Sequence, residues 1–222
     1  FEFQKGPIFA HLILADQINR GAPKTQSALL EAMEGQEITV ASETFRLPEP
    51  FLVMATQNPL EMEGTFPLPE PEVDRFLLKL RFGPPSVAEI EQILDRTTEG
   101  EPPIVRPIVD GRRLLEMRQI ARSISIDREL RRRAIGLTMA TCPDQPNAPE
   151  AVRRFVRYGA SPRGAQALTV AAKVKAASEA RGAVNEADIR AVAHAALRHR
   201  IILNIDGQAE DISPDRLIDA IL

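Results

Sequence analysis

The sequence predicts an α/β region over residues 1–84 followed by an all-helical region over residues 85–222. Three observations carry this. Two short apolar runs, Leu12–Ala15 and Leu52–Ala55, lack polar alternation, as strands of a parallel sheet covered on both faces do. Gly83-Pro84-Pro85 then breaks the chain, and the charge balance changes across it. Residues 1–84 hold 7 basic and 12 acidic side chains, and residues 85–222 hold 21 and 19. Beyond the breaker, capped helical segments follow one another with no further apolar strand pattern.

Taking the elements in order, the first run stops at Asp16 and hands over to Gln17-Ile18-Asn19-Arg20. Chemistry in parallel sheets sits just beyond the strand ends, and a carboxylate there can hold magnesium beside a bound phosphate. A turn-forming Asp at a strand end accounts for Asp16 from the residues alone at least as well. Pro23 to Glu34 reads as a helix, with Pro in the first turn and Gly35 past the end, and with Leu29, Leu30 and Met33 facing the sheet. Gln36 to Leu47 alternates about Ala41-Ser42-Glu43, the pattern of a β-hairpin. The second apolar run ends in Gln57-Asn58-Pro59, and the proline-rich stretch 59–71 must be a loop. That loop delivers a short helix bearing Arg75, with Asp74 pointing elsewhere, and Leu78–Phe82 alternates as a last strand.

In the second region Ser86 and Glu89 have the spacing of a capping box. A polar stretch from Glu99 to Pro107 separates that helix from others near 111–121, 127–141 and 148–156. Ser161-Pro162 opens the clearest helix, running to Ala180, with Arg163 in its first turn. A cation there opposes the helix dipole by roughly 0.3–1 kcal/mol, tolerable on a surface and also what an arginine aimed at an anion looks like. Asn185 and Asp188 cap a further helix, and Ser213-Pro214 begins a last one.

Composition excludes several classes. With 44% apolar and 27% charged residues the chain suits a globular protein, and no run of about 18 apolar residues suggests a membrane span. One cysteine, Cys142, rules out an internal disulfide and suits a reducing compartment, with a cytoplasmic location as the default. His11, His194 and His199 show no zinc spacing and no neighbouring acids, and no Ser/His/Asp set is legible. The arginine clusters 131–133 and 153–157 sit in a chain with no Trp and one Tyr, a poor stacking platform for single strands, so solvated helix faces are expected and nucleic acid is not.

The ordered set His11–Arg20, Phe51–Pro59, Pro71–Leu78 and Gly159–Gly164 resembles the MoxR family of AAA+ ATPases, and the resemblance runs through nearly the whole chain. It implies a fold that is the C-terminal part of an AAA+ nucleotide-binding α/β domain followed by a helical lid. It also implies ATP and Mg2+ as cofactors. By the resemblance Asp16 and Gln17 hold the Walker B positions, Asn58 is sensor 1, Arg75 is the arginine finger and Arg163 is sensor 2. Asp16 would organise magnesium, and Arg75 would act in trans across a ring, expected to be a hexamer, where such a charge is worth ~10³–10⁵-fold in rate. A von Willebrand factor A domain protein, or another protein client to be remodelled or matured, is the implied partner.

Two departures stand out. Gln17 replaces the family's glutamate, and no G-x-x-x-x-G-K-[ST] phosphate loop occurs in the 222 residues. The sequence starts in mid-motif, so it reads as the C-terminal or ordered part of a longer protein, and as given it lacks the parts of a complete ATP site. An amide at position 17 still hydrogen-bonds water but accepts no proton, and loss of a general base costs ~10²–10⁴-fold. Gln17 therefore reads either as the mark of a nucleotide-gated scaffold that turns over slowly or as a glutamine that orients water. A magnesium chelatase ATPase-type subunit is a third expectation.

Overall fold

A computed structural model describes residues 4–40, 43–58, 65–98 and 104–222. In the first region strand β1 (Leu12–Ala15) is followed by a 3-10 turn at Ile18–Arg20 and helix α1 (Pro23–Gly35). The hairpin forms as expected, from β2 (Glu37–Val40) and β3 (Glu43–Arg46), while its tip at 41–42 lies outside the described residues. Strand β4 (Leu52–Ala55) pairs in parallel with β1, Ala15 opposite Ala55. Residues 59–64 of the proline-rich loop also lie outside the described residues.

Three expectations for this region are corrected. The two-stranded parallel sheet is buried on one face only. Leu12, Leu14, Leu52 and Met54 are all at least half exposed, because no described element covers their side of the sheet. Leu78–Phe82 is not a strand; with no described strand beside it, its Lys79 N–H donates instead to the Ala195 carbonyl, 2.8 Å away. Helix α2 (Glu70–Val73) is so short that Arg75 sits in the turn after it rather than on it.

The helical region follows its local signals closely. Helix α3 (Val87–Thr98) opens on the expected box, Ser86 N–H donating to Glu89 and Glu89 N–H to Ser86 Oγ. Asp110 and Asp127 cap α4 (Gly111–Ser123) and α5 (Arg128–Ala140). Helix α6 (Glu150–Phe155) ends sooner than its sequence pattern suggests, because Val156–Tyr158 forms β5. Helix α7 (Pro162–Ser178) is capped by Ser161, and α8 (Glu186–Leu197) has a reciprocal Asn185–Asp188 box. Strand β6 (Ile202–Leu203) pairs antiparallel with β5, and α9 (Ile205–Ala209) and α10 (Pro214–Ile221) close the chain.

Helix α7 is the axis of this region, packed against α8, α5 and α4. Its small face, Ala167, Ala172 and Ala176, lets neighbours approach, and with Leu168, Ile189, Leu197, Leu217 and Ile218 it forms one continuous apolar core. Asp188 is buried inside the α8 cap, and the Arg181 guanidinium bonded to it holds its carboxyl below the usual range. No helix among the described residues is long and apolar enough to cross a membrane.

Candidate functional site

The register that puts Ala15 beside Ala55 makes Asp16 and Thr56 leave the sheet side by side. Thr56 Oγ1 donates to Asp16 Oδ1 at 2.5 Å and accepts the Gln17 N–H at 2.8 Å. The Thr56 carbonyl takes the Ile18 N–H at 3.0 Å. Gln17 is held in the left-handed region at φ 50°, a conformation costing an L-residue roughly 1–2 kcal/mol, and the three Thr56 bonds brace that turn. The Gln17 side-chain oxygen accepts from Arg20 at 3.2 Å. Asn58, half-buried two residues beyond Thr56, takes a side-chain N–H of Asn19 on its carbonyl at 3.4 Å.

Thr56 was not singled out from sequence, and neither was Gln26. Gln26 is 2% exposed on α1 and donates to the carbonyls of Ile18 at 3.0 Å and Phe66 at 2.9 Å, so it ties the Asp16–Gln17 turn to the proline-rich loop. The signal was present: Gln26 lies one helical turn before buried Leu30, a polar residue on an apolar face.

Asp16 is exposed, and among the described residues its second carboxylate oxygen has no protein partner. No three His, Cys, Asp or Glu side chains converge as a metal cage among the described residues. One open carboxylate at a strand end fits magnesium, which keeps most of its waters and takes phosphate oxygens, rather than a transition metal.

The arginines form a second cluster. Arg75 donates to Glu34 of α1 at 2.9 Å, and Arg163 donates to the other oxygen of the same carboxylate at 3.0 Å. Asp74, expected to point elsewhere, is the hub behind them. It accepts from Ser161 Oγ at 2.8 Å and from Arg200 Nε at 2.8 Å, and lies 3.7 Å from Arg163. The turn into α7 requires glycine at 159, where a Cβ would stand 2.5 Å from the Thr141 carbonyl, and Thr141 Oγ1 accepts the Ala160 N–H at 2.8 Å. Arg200 is 5% exposed and His199 6%. Burial, and then the Arg200 charge beside it, pushes the His199 imidazole down to about 4, so it is neutral and donates Nε2–H to the Phe76 carbonyl at 2.9 Å. His194 does have an acid, Asp219 at 2.8 Å, brought from 25 residues away by the packing of α10 on α8.

Asp16, Gln17 and Asn58 thus share one strand edge, and Arg75 and Arg163 share one carboxylate. Among the described residues no hydrogen bond or ion pair joins the two groups. Residues 1–78 match the family model described as ATPase family associated with various cellular activities (AAA), and residues 149–221 match the AAA lid domain. The chain is 38% identical over its whole length to Chaperone MoxR1 of Mycobacterium tuberculosis, and 31% identical over 85% of its length to Protein MoxR of Methylorubrum extorquens. A crystal structure of a Cytophaga hutchinsonii protein described as an ATPase superposes with a TM-score of 0.93 at 40% identity, over 99% of this chain and 67% of that one.

The chain belongs to the MoxR family of AAA+ ATPases.

It spans 59% of the length of MoxR1 and 58% of that of the Methylorubrum MoxR. The expected fold, an AAA+ α/β region followed by a helical lid, is the one observed. Within this MoxR-family fold α1 also borders a shallow groove of about 480 Å³ lined by Glu31, Glu34, Glu37, Glu72 and Arg75. Its carboxylates balance the Arg75 charge, so the groove itself is no phosphate pocket.

Proposed function

We propose that this MoxR-family chain binds Mg-ATP at interfaces between subunits of a ring, a hexamer, and couples hydrolysis to remodelling or maturing a protein partner. Residues 1–84 serve as the nucleotide-binding part and 85–222 as the lid, and a von Willebrand factor A domain protein is the partner class we favour. The observation that carries the reading is the strand edge where Thr56 fixes both the Asp16 carboxylate and the Gln17 backbone. Magnesium, when bound, neutralises charge on the transferring phosphates. Asp16 holds it through its open oxygen, Gln17 faces the attacking water and Asn58 positions that water or the γ-phosphate. Arg75 supplies charge in trans, and Arg163 supplies it from the lid. That both arginines already share the Glu34 carboxylate supports their ability to grip one anion.

A second reading, a nucleotide-gated scaffold that hydrolyses poorly, is favoured by position 17 itself. The amide takes no proton, and its oxygen is engaged by Arg20. ATP binding and steady-state turnover of the full-length protein, with Gln17 and with Gln17→Glu, test both. A rise in turnover of ~10²–10⁴-fold in the Glu form, with binding unchanged, supports the scaffold. Equal turnover makes Gln17 a working water-orienting residue, and absence of ATP binding in both forms overturns the proposal.

A further inference from the structure

Arg200 spends its donors on the turn that carries Arg75. Its Nε bonds the Asp74 carboxylate at 2.8 Å, one terminal nitrogen bonds the carbonyls of Asp74 at 3.0 Å and Phe76 at 2.8 Å, and the other bonds the carbonyls of Leu77 at 3.2 Å and Ala196. The neighbours of Arg200 continue the grip. His199 bonds the Phe76 carbonyl, Arg198 donates to the Lys79 carbonyl at 3.0 Å, and the Ala195 carbonyl takes the Lys79 N–H. Residues 74, 76, 77 and 79 are all fastened to the stretch 195–200 at the end of α8. The Arg75 side chain instead reaches α1, where it bonds Glu34 and the Leu30 carbonyl.

We infer that Arg200 and Asp74 are positioning residues that make the Arg75 turn move with the lid, so that the lid's angle sets where the Arg75 guanidinium stands. The physical ground is the inequality of the two attachments. The Arg200 side chain is 2% exposed, so its bonds are not readily traded for water, and removing its partner leaves a buried charge unpaired. The Arg75–Glu34 pair is 30% and 46% exposed and exchanges readily with solvent or with another anion. A lid rotation therefore breaks the second attachment and keeps the first. Asp74 also holds Ser161 and lies beside Arg163, so both arginines ride on one mount. The inference rests on the proposed role of Arg75 at a nucleotide.

The test uses the full-length protein and two measurements, on Arg200→Lys and Asp74→Asn. In hydrogen exchange, protection of residues 74–79 is expected to fall about tenfold in either variant, while α5 and α7 keep theirs. In steady-state kinetics kcat is expected to fall about tenfold with KM for ATP within about twofold, and to fall no further when Arg200→Lys is added to Arg75→Ala. Unchanged exchange, exchange rising equally throughout the lid, or an Arg200→Lys loss that persists in the Arg75→Ala background overturns the inference. A parent that neither binds nor hydrolyses ATP overturns the proposed function instead, and the exchange measurement then decides the inference by itself.

Discussion

The lid and the α/β region are stabilised in different ways. In the lid the apolar face of every long helix from α5 onward meets another, and Leu168, Ile189, Ala172 and Ala193 are completely buried. In the α/β region the buried set is small, Ile18, Leu30, Ala32, Leu47 and Val53, and one face of the β1–β4 pair is exposed. What holds the second region is polar: strand-end bonds through Thr56, the buried Gln26 amide and the fastening of 74–79 to the lid. The difference teaches that the chemistry-bearing edge is kept in place by hydrogen bonds at its borders, whereas the lid is held by its own apolar core.

The largest effect should come from breaking the packed side. Leu168→Ala removes a fully buried side chain at the centre of α7 and should destabilise the lid by about 2–5 kcal/mol in urea unfolding. A loss below about 1 kcal/mol would remove the contrast between the two regions.

Next comes the seam between them. The His199 pKa is about 4 in the folded chain against about 6.5 unfolded, so the folded state binds fewer protons between those values. Stability is full above pH ~6.5 and declines as pH falls toward 4, by about 2–3 kcal/mol at pH 4.5. His199→Gln, which can keep the bond to Phe76, should flatten that slope in unfolding midpoints compared at pH 7 and pH 4.5.

Smaller again is the strand edge. Thr56→Val keeps the shape but deletes the hydroxyl joining Asp16 to the Gln17 N–H, and should cost about 1 kcal/mol and speed exchange of the Gln17 amide. The smallest change should be Leu14→Ser, at a position 64% exposed, with an effect within about 0.5 kcal/mol. A loss approaching that of Leu168→Ala would show this face to be covered in solution and would bring the two regions closer in kind.

Where sequence reasoning reached the structure, the cause was local. Ser86, Ser161, Asn185 and Ser213 cap the helices they were expected to cap, since a cap is made within three residues of itself. The hairpin was legible because its two strands are neighbours in the chain and pair with each other. Where reasoning fell short, the partner was distant in the chain or no described element supplies one. Leu78–Phe82 has strand alternation but pairs with no strand among the described residues. Leu12 and Leu14 were expected to be covered and are exposed. Thr56 as the brace of Asp16 could not be read without the β1–β4 register, which sets residues 40 apart side by side.

By itself the sequence determined most of the helices with their caps and breaks, the AAA+ family, and the residue types present at each candidate position, because propensity, capping and motif order act over a few residues at a time. Only the tertiary structure decided which of those residues meet. Arg163 reaches Glu34 across 129 positions and Arg200 reaches Asp74 across 126, and neither pairing has a local signal. Charge pairs of such separation form when apolar packing of the lid brings the end of α8 and the start of α7 to the same turn, and it is that packing, not the arginines' own sequence neighbourhoods, that selects their partners.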